Sequence, residues 1–153
     1  MAIKKVYVGE KPTDIQHNIT VKVGTSADKP TDADKGKPFK LGGDSTFVRC
    51  ADGDPIEAIL MALEPATADG VMVGTVKTGG YKEAIMAAAG WAVGDFVVAA
   101  PQAANGVLND AAQYPRPKVK VDAAAAGPFM WRVISVVEGA VGAINAVVTL
   151  QRV

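Results

Sequence analysis

Few side chains in this chain have the type and spacing for chemistry, and each one points more strongly to structure. His17 is the sole histidine, so neither a two-histidine metal site nor a relay between imidazoles can form, and its polar surroundings offer no nucleophile for it to activate. Cys50 is the sole cysteine. Its flanks, Val48-Arg49 and Ala51, read as the end of a strand, where a free thiol behaves as a small apolar group. Asp52-Gly53-Asp54 starts with the carboxylate spacing of a calcium loop, but Ile59, Met61 and Leu63 stand where the later ligands belong, so it reads as a turn. Gly79-Gly80-Tyr81-Lys82 lacks the spacing and terminal hydroxyl of a phosphate-cradling loop. Trp91 and Trp131 sit among alanine, valine and methionine, the setting of core packing rather than of a ligand platform. No catalytic, metal-binding or cofactor-binding residue is expected, and the chain is expected not to be an enzyme.

The elements around these residues are strands. Turns of glycine with aspartate or asparagine, opening into short β-branched runs, recur along the chain. Strands are expected at Lys4 to Gly9, Asn18 to Gly24, either side of Gly42-Gly43-Asp44, Gly70 to Lys77, Tyr81 to Ala87, Phe96 to Ala100, Val107-Leu108 and Lys118 to Val121. A C-terminal hairpin from Phe129 to Val153 completes the set. Ile56 to Leu63 is ambiguous. Asp54-Pro55-Ile56-Glu57 carries helix-start signals, yet every neighbour reads as strand, and a strand covered on both faces need not alternate; a strand is expected. Residues 25 to 38, rich in proline and small polar side chains, read as a long exposed loop.

The 153 residues suit a single domain, with residues 1 to 35 as extended strands and polar arm and 36 to 153 as the β core. The expected fold is all-β: an antiparallel β-barrel or jelly-roll-like sandwich with a C-terminal hairpin, a long polar N-terminal arm and at most one short helix. Sixteen basic and sixteen acidic side chains cancel, which disfavours nucleic acid or an anionic membrane as partner. The lone cysteine and the absence of a signal-like or membrane-spanning apolar run suit a reducing cytoplasm.

Gly36-Lys37-Pro38-Phe39-Lys40-Leu41, then Val48-Arg49-Cys50-Ala51-Asp52-Gly53-Asp54, Asp69-Gly70-Val71-Met72-Val73-Gly74 and Val93-Gly94-Asp95-Phe96-Val97-Val98-Ala99 resemble the capsid decoration, or cement, proteins of tailed bacteriophages. The likeness extends to Trp131-Arg132-Val133-Ile134 and Val147-Val148-Thr149-Leu150. It implies a virion protein on the capsid exterior, present in the host cytoplasm during assembly. Such a protein would be a homo-oligomer, dimer or trimer, bound to the major capsid protein. Contact residues toward capsid or a neighbouring subunit are then expected among Val6, Tyr7, Val8, Pro30, Phe39 and Leu41. The alternative is a virion-surface β module for host carbohydrate or receptor, for which Tyr114 is the one aromatic candidate.

Overall fold

The computed structural model describes residues 18–64, 72–102, 116–123 and 131–152. They form ten strands: β1 (Asn18–Val23), β2 (Pro38–Leu41), β3 (Thr46–Arg49), β4 (Ala58–Leu63), β5 (Val73–Lys77), β6 (Tyr81–Met86), β7 (Phe96–Ala99), β8 (Lys118–Val121), β9 (Trp131–Glu138) and β10 (Val147–Arg152). Two single 3-10 turns, Asp32–Asp34 and Gly43–Ser45, are the helical elements among the described residues. The protein is all-β and barrel-built, and the C-terminal hairpin is present as the β9–β10 pair. The strands expected at Lys4 to Gly9 and Val107-Leu108 fall outside the described residues.

The strands close into two barrels, β1-β3-β2-β4-β5 and β10-β6-β8-β7-β9. Pairing is antiparallel except for one parallel contact in each barrel, β1 with β3 and β6 with β8.

The two barrels repeat one plan. Mapping β1 to β5 onto β6 to β10 in order carries each strand pair onto its counterpart with the register kept: Thr20 opposite Thr75 becomes Glu83 opposite Thr149, and Phe39 opposite Ala58 becomes Val97 opposite Trp131. A register shift beside Met61 in β4 recurs beside Ile134 in β9. The entry to the second strand is the same device twice. Gly36 and Gly94, at φ 82° and 99°, take the left-handed backbone that a side chain disfavours. Each donates its N–H to the matching carbonyl on the neighbouring strand, Leu60 O of β4 and Val133 O of β9, at 2.7 Å in both cases.

The cores match as well. Val23, Phe39, Ala58, Leu60 and Val76 fill the first barrel. Their counterparts Met86, Val97, Trp131, Val133 and Leu150 fill the second. β4 serves both cores, with Ala58 and Leu60 in the first and Ile59, between them, in the second. Period-two alternation therefore buries both faces of β4 over Ala58 to Leu60, which explains the apolar sequence there and overrides the helix-start signals before it.

Candidate interaction surface

Three groups of residues decide what this molecule presents to others: a pinned loop, the joint between the barrels, and a set of bare apolar side chains.

The loop from Gly24 to Lys37 is tied down by charge. Asp34, 3% exposed, accepts hydrogen bonds from Arg49 Nε at 3.0 Å and Nη2 at 2.6 Å, from Lys37 Nζ at 2.8 Å and from the Thr31 N–H at 2.7 Å. Arg49 also reaches the Asp28 carboxylate and the Lys29 carbonyl. Burial alone would raise the Asp34 pKa. The bonds from Arg49, then Lys37 and Thr31, outweigh it and hold the carboxyl well below the usual range. The same pairing lifts Arg49 above its ordinary value. The stretch expected to be a long exposed loop is exposed over residues 25–29 and 31–33 and is fixed at Pro30 and Asp34, both buried.

At the joint, Asp52-Gly53-Asp54 works as a clasp. Gly53 N–H donates to Ala99 O at 2.9 Å and Ala99 N–H to Asp54 O at 3.0 Å, so the first barrel's β3–β4 connection pairs with the main chain at the end of β7 in the second. The Asp54 carboxylate accepts from Ala51 N–H and pairs with Lys40 Nζ, both at 2.7 Å, while Asp52 pairs with Lys120 at 2.7 Å. The carboxylates that hint at a calcium loop in the sequence are therefore spent on lysines and backbone. Among the described residues no group of three His, Cys, Asp or Glu could hold a metal ion. Arg152 ties the other side of the joint, donating to the carbonyls of Glu57 and Thr78, the latter at 2.7 Å. Cys50 sits beside the clasp with its thiol on Pro55 O at 3.4 Å. Burial first, and then the Asp54 charge, push its pKa up to about 12, the opposite of what a nucleophile needs.

The bare apolar set lies on two loops of the second barrel. Val93, Val141 and Ile144 are 51%, 60% and 58% exposed. Their loops are fastened to each other by Gly90 N–H on Gly142 O at 2.9 Å and by Trp91 Nε1 on Ala143 O at 2.8 Å. Trp91 itself is buried. Asp95 closes the Val93 turn by accepting from Ala92 N–H at 2.7 Å, and Asn145 N–H holds Met86 O at 2.8 Å. Three apolar side chains with no acid or base among them are thus left exposed on loops fastened to each other.

The expected contact residues separate. Val6, Tyr7 and Val8 fall outside the described residues, as do His17 and Tyr114. Phe39 is fully enclosed in the first core, and Pro30 is buried. Leu41 alone of the described set is open, at 51%. Phe39 and Leu41 share a face by period two, so only position along the strand separates core from surface. Sequence reasoning missed Val93, Val141 and Ile144, because single apolar residues in turns carry no periodic signal. Trp91 and Trp131 are core residues, at 2% and 1% exposure, and offer no platform to a glycan. No helix of the described residues is long and apolar enough to cross a membrane. Comparison with protein-family models, with curated proteins and with solved structures gives no match.

Proposed function

We propose that this chain is a structural cement protein: a non-enzymatic β module that attaches to the outside of an icosahedral phage head and bridges neighbouring major capsid proteins against the pressure of packaged DNA. The observation that carries the reading is the exposure of three apolar side chains, Val93, Val141 and Ile144, on loops that the Trp91 bond to Ala143 ties together. It is joined to the sequence resemblance to capsid decoration proteins. A cement works by area. If parting two capsid subunits must also expose on the order of 1,600 Å² of buried surface at each site, and the site recurs around the shell, the shell resists separation without any reacting group. Zero net charge supports apolar rather than ionic attachment.

The test is titration of the purified chain onto emptied tailed-phage heads. Saturable, stoichiometric binding is expected, changing less than about threefold between low and molar salt. Replacing Val141 and Ile144 together by aspartate is expected to weaken it at least about tenfold, since two charges would be desolvated at the contact. Absence of saturable binding, or binding that salt abolishes, would overturn the reading. Saturable binding to glycans in place of heads would favour a receptor-binding module.

A further inference from the structure

We infer that Lys82 is a carbamylation site: its ε-amino group takes up dissolved carbon dioxide, and the carbamate so formed is held by the positive charges of Lys77 and Arg116. Attachment to a capsid plays no part in it. Strand register makes Lys82 the counterpart of Ile19, since Ile19 stands opposite Val76 and Lys82 opposite Leu150, both fully buried. Lys82 also shares its face of β6 with Ala84 and Met86, two members of the second core. The second barrel thus carries a half-buried amine at an inward position where the first carries an apolar side chain.

The charges that act on this amine leave it without a counter-ion. They are Lys77 at the end of β5, Glu83 on its own strand and Arg116 ahead of β8. Lys77 is 7% exposed. Glu83, the one carboxylate of the group, is taken by Arg116, which donates to it from Nε at 2.9 Å and lies at 2.8 Å through Nη2. Among the described residues nothing forms a hydrogen bond or ion pair with Lys82. Burial first, and then the Lys77 charge, pull its pKa down to about 8. Roughly a tenth of the amine is then neutral at pH 7, against fewer than about one in a thousand for an ordinary lysine.

Carbon dioxide reacts with the neutral amine. The Nζ lone pair attacks the carbon, an N–C bond forms, one C=O π pair moves onto oxygen and one N–H proton passes to water. One amine and one carbon dioxide therefore give one carbamate and one proton, with no oxidant or reductant. An uncharged gas molecule enters a half-buried apolar setting without the desolvation cost that an ion would meet. The product reverses the electrostatics, because a cation repelled by Lys77 and Arg116 becomes an anion that both attract.

Carbon NMR of the full chain in isotope-labelled bicarbonate at about pH 8 tests this. The chain's α-amino group, with an ordinary pKa of about 8, gives a carbamate of its own and serves as the internal reference. A second carbamate resonance is expected. Lys82→Met, which puts an apolar side chain of similar length in place of an unpaired charge, should remove that resonance and keep the reference. Lys22→Met, at an exposed lysine, should keep both. Arg116→Gln, with unaltered circular dichroism, is expected to lower the occupancy of the second site at least about threefold by taking away an attracting charge. Only the reference resonance in the unmodified chain, or a second resonance that survives Lys82→Met, would overturn the proposal. So would occupancy indifferent to Arg116→Gln. Head binding enters none of these readings, so their failure would leave the cement reading standing.

Discussion

At Asp34 two opposing effects meet on one carboxylate, and the winner can be measured. Burial favours the neutral acid, but Arg49, Lys37 and the Thr31 N–H favour the anion and prevail. A carboxyl held below its unfolded value of about 3.9 contributes stability that is present above that pH and is lost as pH falls toward the folded value. Urea unfolding as a function of pH should therefore show stability falling below about pH 4. Asp34→Asn should cost about 3 kcal/mol at neutral pH, because it strands the partly buried Arg49 and Lys37 charges, and should flatten that acid limb. An unchanged acid limb would contradict the assignment. Lys82 shows the reverse case. It faces the second core opposite Leu150, and burial first, then the nearby Lys77 charge, pull its pKa down to about 8. Its unfolded value is about 10.4, so folding is penalised at neutral pH and stability should rise between roughly pH 8 and 10 as the folded form sheds its proton first. Lys82→Met is expected to stabilise the chain at neutral pH by about 2 kcal/mol and to remove that rise, both read from the same titrations.

Among the elements, the entry to β2 and to β7 is a controlled comparison within one molecule. Gly36 and Gly94 occupy the same left-handed position and make the same 2.7 Å bond to the opposite strand. Alanine at either site is expected to cost about 1 to 2 kcal/mol by equilibrium unfolding, because the strained backbone is demanded by the hydrogen bond beyond it. A site where alanine is neutral would show that its turn relaxes. At this scale the sequence is largely legible. β1, β6, β7 and β8 begin or end at punctuating residues legible in the sequence, Gly24, Gly80, Gly94-Asp95, and Pro117 with Asp122, and Val119, at 0% exposure between two lysines, follows from alternation. β4 needed more than local signals: its capping residues favour a helix, and its strand state depends on two cores lying on its two sides.

For the whole molecule, β4 couples the barrels, since Ile59 and Ile56 belong to the core of the second while their neighbour Ala58 belongs to the first. The chain is expected to unfold in a single calorimetric transition. Ile59→Ala should cost about 3 kcal/mol through the cavity it leaves and should begin to separate the melting of the two barrels. Two transitions already present in the unmodified chain would show that the joint does not bind the barrels into one cooperative unit.

What the sequence alone determined was local in origin: strand-forming runs, the glycine turns between them, the burial of both tryptophans and the structural part played by Cys50 and the Asp52-Gly53-Asp54 turn. Each depends on residue type, spacing of two, or a backbone conformation that few residues tolerate. Only the tertiary structure decided that the strands divide into two barrels of one plan. Register is fixed by contacts between residues far apart in the chain, and the counterparts, such as Ala58 and Trp131 or Ile19 and Lys82, share a position without sharing a side chain. Exposure was decided there too. Phe39 and Leu41 are alike in chemistry and in facing, yet one lies at the centre of a barrel and the other at its end, a difference set by where the neighbouring strands stop.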